Sequence, residues 1–346
     1  LSIRTDLLAK LCTTAGPPGG EEAIRQIIRA EIEALVDDLQ VDAMGNLIAI
    51  KKGREPRKVM AAAHMDEISF MITHVDKQGF ARFTTLGGFD PKTLTAQRVI
   101  VHGREDVLGV MGSKPIHLMT AEERGKAPKL SDYFIDFGMP AEQVHALVRA
   151  GDKATRERDF VTVGDCVCTK SLDNRISVYI LIETLRQLQT PAYDFYAVFT
   201  VQEEVGLRGA QTAAHRIQPD FGFGLDTTIA NDLPSAQDHE KITELGKGTA
   251  IKMMDSSVIT DSRMVRFMED TAERHQIPFQ REILIGGGTD TGALQRAANG
   301  AIVGCVSIPT RHIHSVVEMC HRDDIQGSID LLTQCVMEMD QFEEGW

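Results

Sequence analysis

No apolar run in this chain approaches the roughly 18 to 20 residues that a membrane-spanning helix requires, and aromatic residues make up only 5% of its 346 positions. A helical membrane protein is excluded by that absence. Basic residues are also in deficit: 37 Lys and Arg stand against 50 Asp and Glu, a formal net charge of −13. Such a balance leaves no basic footprint for a nucleic-acid groove or an anionic membrane surface, and it suits a site that collects cations. Neither nucleic acid nor membrane is expected as a partner.

Close-spaced cysteines are nearly missing too. The six are scattered, and only Cys166 and Cys168 stand together, with one residue between them. A zinc knuckle uses two intervening residues, and in a strand both sulfurs share one face, so this pair reads as structural. The opening residues LSIRTDLLAKLCTTAG hold neither the apolar region nor the small-residue cleavage site of a signal peptide. A cytoplasmic location and reduced thiols are the expectation.

What is present is a strand and helix rhythm interrupted once. GGEEAIRQIIRAEIEALVDDL spaces Ile24, Ile27, Ile28, Ile32 and Leu35 as one face of a helix, QVDAMGNLIAIKKG reads as two short strands around a turn, and KVMAAAH as a buried strand. From about residue 69 to 165 the texture changes to short alternating segments broken by glycine, among them FARFTTLGGFD, QRVIVHGRED and DFVTVGDCVCT. The alternation of helices and strands then resumes to the C-terminal DIQGSIDLLTQCVMEM. The expected fold class is α/β: a mixed, largely parallel sheet sandwiched by helices, with an inserted small β-barrel-like domain. Residues 1–68 and 166–346 would form the discontinuous catalytic domain, and residues 69–165 the insertion.

In open α/β sheets, ligands gather beyond the carboxyl ends of the strands. KVMAAA runs into His64, Asp66 and Glu67; FYAVFTV into Glu203 and Glu204; DFGFGL into Asp226; AIVGCVSIPT into Arg311, His312 and His314. Asp173, in SLDNR, stands at a helix start, where an N-cap explains it equally well. Each of these residues alone has a structural explanation, but together they bring carboxylates and imidazoles to one edge. Imidazole beside oxygen donors suits zinc, cobalt or manganese, and so many carboxylates are better balanced by two divalent ions, about 3.5 to 4 Å apart. Consecutive residues point in different directions, so of Glu203 and Glu204 one can bind metal while its neighbour takes a proton from an activated water and passes it to a leaving amine. The chemistry suggested is metal-assisted hydrolysis.

The motifs AAHMDEISFMI, LGGFDPKTLTAQRV, VMGSKPIHL, SLDNRISVYILIE, QEEVGLRGA, GLD and GGGTDTGALQ...IPTRHIHSVVE together resemble the tetrahedral (TET), or deblocking, aminopeptidases, glutamyl-aminopeptidase-like dinuclear metallopeptidases. The resemblance extends over nearly the whole chain. It implies that His64, Asp173 and Asp226 hold one metal and that Asp173, Glu204 and His314 hold the other, with Asp173 as the bridge. It further implies Glu203 as general base and acid, Asp66 as the residue orienting the His64 imidazole, and attack by a metal-bridging hydroxide on the first peptide carbonyl. The insertion would be a dimerisation domain, and dimers would build a hollow tetrahedral dodecamer that admits short peptides with a free N-terminus. Ser69 and Val316 depart from the usual pattern, and Met65 and Ile313 read as strand or packing residues. Gly286 to Asp290 lack the ending of a P-loop and are equally a connection or a substrate-facing loop, and His117 reads as structural. Two other readings stay open: an endoglucanase-type glycoside hydrolase, since relatives have carried that label, and a non-catalytic metal-stabilised assembly protein.

Overall fold

A computed structural model describes residues 3–343 and 345. In chain order the strands are β1 Asp38–Val41, β2 Leu47–Lys51, β3 Glu55–His64, β4 Ser69–Val75, β5 Ala81–Leu86, β6 Arg98–His102, β7 Asp106–Gly112, β8 Phe134–Asp136, β9 Lys153–Arg156, β10 Val161–Val163, β11 Cys166–Thr169, β12 Tyr193–Thr200, β13 Phe221–Ile229, β14 Thr249–Met254, β15 Phe279–Ile283, β16 Ile302–Arg311 and β17 Glu318–His321. They fall into an 11-stranded sheet and a closed antiparallel barrel of β4, β5, β8, β7, β6 and β9. This is the mixed α/β architecture with a barrel that the sequence texture suggests.

The middle of the large sheet runs β12, β3, β13, β16, all parallel. Burial on both faces explains why these strands are nearly continuous apolar runs: Val59 to Ala63 and Phe195 to Phe199, Tyr196 apart, are almost wholly enclosed. One face is covered by the helices Arg208–Ile217 and Asp290–Gln295, whose Ala210, Ala213, Ala214 and Leu294 pack on Met60, Ala62 and Val198. On the other face the helix Leu172–Gln187 lies against the sheet and is overlaid by Thr5–Thr13, Glu22–Ile32 and Arg322–Met337. Its apolar residues run all round, as a helix enclosed on every side requires.

Two sequence expectations change. Val161–Val163, grouped with the insertion by its alternation, pairs with β11, and β11 pairs with β17 at the margin of the large sheet. Alternation marks a half-exposed edge strand wherever it lies, so it does not say which sheet owns it. Asp226, expected just past a strand, lies inside β13, which continues to Ile229 alongside β16. The β3 pairing stops at Gly224, so Asp226 stands on the edge freed where β3 ends. Five of the six cysteines are buried, Cys166 is partly buried, and all are free thiols. Among the described residues no helix is long and apolar enough to cross a membrane.

Beneath β13 lies an enclosed ion pair. The Lys252 ammonium donates to Glu282 at 2.7 Å and stands 3.4 Å from Asp255, with all three side chains inaccessible to solvent. Removing one partner of such a pair strands the other charge, which costs about 3 to 5 kcal/mol. Urea unfolding of Lys252→Met should therefore show a loss of that order, recovered in large part by the double change with Glu282→Gln.

Candidate metal centre

His64 ends β3 and pairs in register with Thr200, the last residue of β12. The parallel register therefore places the imidazole beside the chain that continues into Gln202, Glu203 and Glu204. Asp173 arrives from the start of the Leu172–Gln187 helix, where Asp173 and Asn174 have non-helical dihedrals. It is thus more than an N-cap. His314 follows β16 in a turn where both it and His312 have positive φ, 63° and 60°. Gln202 and Ser171, just before Glu203 and Asp173, are likewise left-handed, at φ 54° and 59°. Non-glycine residues held there cost on the order of 1 kcal/mol or more each and concentrate at functional sites.

The side chains converge. One Asp173 oxygen lies 3.2 Å from His64 Nε2 and the other 3.2 Å from His314 Nε2, so a single carboxylate faces both imidazoles. Asp226 is 3.8 Å from His64 Nε2, Glu203 3.7 Å from the same nitrogen, and Glu204 3.8 Å from His314 Nε2. Among the described residues, the groupings whose ligand atoms all lie within 4.8 Å of one another are His64 with Glu203 and Asp226, and His64 with Asp173 and Glu204. These triads differ from the sets implied by resemblance: Glu203 enters one, and His314 neither. The two descriptions share Asp173 and His64 at the centre and differ in the places of Glu203 and His314.

Electrostatics favours added positive charge. Burial pushes Glu204 up to about 8, with Asp173 adding to the shift. Burial likewise raises Glu203 and Asp226. The His64 imidazole is raised although burial opposes it, because Glu203, Asp173, Asp66 and Asp226 crowd it; Asp173 and Glu204 lift His314 to about 9 against the same opposition. Asp173, despite burial, is held low by those two imidazoles. Buried acids this close need neutralising, and the mixed nitrogen and oxygen donor set is one that zinc-like cations accept. Glu204 Oε1 is also buried without a hydrogen-bond donor among the described residues. The donors present therefore fit divalent metal.

Several supporting residues carry no role in the sequence reading. Glu318, 1% exposed, accepts the Asp173 N–H at 3.0 Å and the His314 N–H at 2.8 Å, tying the two segments together. Glu67 accepts from Lys170 at 2.7 Å and from the Ser171 hydroxyl at 2.6 Å, anchoring the exit of β3 to the approach of Asp173. Asp290 accepts the Thr200 hydroxyl, and burial raises it to about 6. The signal for Glu318 lay at the end of IPTRHIHSVVE, four residues after His314, but nothing local distinguishes it from a solvated strand acid.

Asp66 departs in part from its expected role. The His64 Nδ1 contact is to its backbone carbonyl, at 3.1 Å, with the carboxylate 3.5 Å away. The Asp66 carboxylate instead accepts the N–H groups of Glu203, at 3.0 Å, and Glu204, at 3.2 Å. It thereby positions the glutamate pair, and Asp66→Ala should release that loop.

The cluster floors a cavity of about 780 Å³ whose walls include Ile313, the 286–288 glycines and Gly88. Ile313 is thus a cavity residue, and Gly286 to Gly288 line the same cavity. The barrel segment LGGFD reaches this wall as well: a Cβ at Gly87, whose φ is +97°, would stand 2.6 Å from Ile68 and 3.1 Å from Glu204 Oε2. Only glycine fits that approach. His117 is exposed in the insertion.

The model for the M42 glutamyl aminopeptidase family matches residues 45–331. The chain belongs to that family. It is 40% identical over 332 residues, 96% of this chain and 98% of the relative, to a putative aminopeptidase of Acetivibrio thermocellus. Its fold matches a TET aminopeptidase from a marine-sediment thaumarchaeote with a TM-score of 0.94 and 33% identity, covering 98% of each chain. It also matches the Pyrococcus horikoshii TET1 peptidase, described as assembling into a tetrahedron or a large octahedral shell, with a TM-score of 0.88 and 33% identity over 96% of this chain and 99% of that one. The M42 relationship makes the protein a peptidase, a hydrolase acting on peptide bonds. For this M42 peptidase, Glu318→Ala should cut metal affinity and activity about 10–100-fold, as losing an outer partner commonly does; metal titration beside kinetics checks it.

Proposed function

We propose that this M42 peptidase is a dinuclear metalloaminopeptidase that removes N-terminal residues from short peptides. The carrying observation is the Asp173 carboxylate set 3.2 Å from His64 through one oxygen and 3.2 Å from His314 through the other. In this reading His64, Asp173 and Asp226 hold one divalent cation, and Asp173, Glu204 and His314 the second; zinc or cobalt suits the donors best, with manganese as the alternative. Cations held there would supply Lewis-acid polarisation of the first peptide carbonyl and a more acidic water. Glu203, at the cavity floor, would take a proton from the attacking water and pass it to the departing amine. Asp66 fixes the backbone of both glutamates, and Glu318 fixes Asp173 against His314.

The insertion, expected over residues 69–165 between catalytic segments 1–68 and 166–346 and here reduced by the Val161–Val163 strand that joins the large sheet, is assigned to dimerisation. Likeness to the TET1 peptidase, described as assembling into a tetrahedron or a large octahedral shell, supports the reading that dimers assemble into a tetrahedral dodecamer. A cytoplasmic location fits the reduced thiols. A glycoside hydrolase is not favoured, because it would set two acids facing across a sugar, about 5 to 9.5 Å apart, with no use for imidazole ligands. A purely structural metal is not favoured either, since the cluster opens onto a cavity and carries an acid beyond its ligand sets.

The decisive experiment is to strip the protein with chelator, reconstitute it with zinc, cobalt or manganese, and assay peptides with free and acetylated N-termini beside a cellulose substrate. Metal-restored cleavage of the free peptides alone is expected. Cleavage of acetylated peptides at an equal rate, or activity that survives chelation, would overturn the reading.

A further inference from the structure

The cavity above the cluster has two unlike halves. Its floor holds His64, Asp173, Glu203, Glu204, Asp226 and His314; the remaining wall presents Leu207, Ile229, Leu284 and Ile313 with glycines and threonine hydroxyls between them. Outside the cluster, no described residue of that wall carries an ionisable side chain.

Two buried cations stand behind the site and neither lines the cavity: Arg156, which donates to the His314 carbonyl at 3.1 Å, and Lys252. Thr228 lines the cavity and donates backwards to Glu282 Oε1 at 2.6 Å, and the same oxygen accepts from Lys252 at 2.7 Å. Lys252 is therefore spent on Glu282 and Asp255 and offers nothing to an acidic side chain. Glu282 Oε1 is shared by Thr228 and Lys252, and the carboxylate lies behind Thr228 rather than in the cavity lining, so it does not meet a basic side chain there. A charged N-terminal side chain entering here loses its hydration without gaining a partner, whereas an apolar one removes its own surface and that of four aliphatic residues from water.

We propose that the enzyme is selective for peptides whose N-terminal residue is neutral and aliphatic, seated against Leu207, Ile229, Leu284 and Ile313. This rests on the aminopeptidase reading, in which the cluster acids are committed to cations and so do not attract lysine or arginine.

The test is a set of para-nitroanilides of leucine, methionine, glutamate and lysine, assayed on the metal-reconstituted protein. Leucine should exceed glutamate and lysine by about 100-fold in kcat/KM, the scale on which pockets discriminate by contacts of this kind. A ratio below about 10 for either charged residue overturns the selectivity. Ile229→Lys, at a position 42% exposed and outside the cluster, should raise the glutamate to leucine ratio at least about tenfold; an unmoved ratio removes Ile229 from the seat and defeats the proposal. Calorimetric titration of Glu203→Gln protein with leucyl, glutamyl and lysyl dipeptides should give the same order without turnover. Absence of hydrolysis on all four amides would strike the aminopeptidase reading itself, while hydrolysis led by a charged residue would strike only the selectivity.

Discussion

Replacing Glu203 by glutamine should lower kcat by about 10²- to 10⁴-fold, the contribution expected of a positioned proton carrier, while bound metal stays near two ions per subunit. The amide keeps the size of the carboxylate and the backbone hydrogen bond to Asp66, so the loop should not move. What it loses is the ability to take a proton from water and give it to the amine. Glu204→Gln is the informative partner. Glu204 lies with His314 and Asp173, and its Oε1 has no donor of its own, so the same chemical change there should reduce metal occupancy first and activity in consequence. Metal analysis and steady-state kinetics on both variants separate the roles. If Glu203→Gln empties the site while Glu204→Gln leaves it full, the assignments are reversed, a result that the grouping of Glu203 with His64 and Asp226 makes worth seeking.

Asp173→Ala should be the most damaging single change to the metal centre, beyond the about 10–100-fold typical of an outer partner. Both of its oxygens are used, one towards each imidazole, so one substitution withdraws a donor from both proposed ions. It also leaves two imidazoles among acids without the group that balances them, and the Glu318 clamp then holds a segment with no donor to place. Thermal unfolding gives a readout independent of turnover. A ligand present at 100 times its Kd stabilises the folded state by about 2.7 kcal/mol, so zinc should raise the Tm of the parent protein clearly and that of Asp173→Ala far less. An equal rise in both would show that the stabilising ion sits elsewhere.

The amino-acid sequence by itself determined most of the elements and marked the acids and imidazoles that gather in the cluster. Strand runs such as KVMAAA and FYAVFTV and the periodic helices are local signals, fixed by which residues can be buried on two faces, one face or none. Chemistry that needs particular side chains also shows in residue type, so His64, Asp173, Glu203, Glu204, Asp226 and His314 stand out as imidazoles and acids at the margins of apolar runs. Tertiary structure alone decided how they are held. That Asp66 grips the backbone of the glutamate pair, that Glu318 joins Asp173 to His314, and that Gly87 of the barrel must lack a side chain all depend on segments as far as 145 residues apart in sequence meeting at one point. Ownership of the Val161–Val163 strand and the position of Asp226 within β13 were settled the same way, by which neighbouring strand was present to pair. An acid on a strand has the same local pattern whether it faces water or a buried N–H; only the packed sheet supplies the partner that tells them apart.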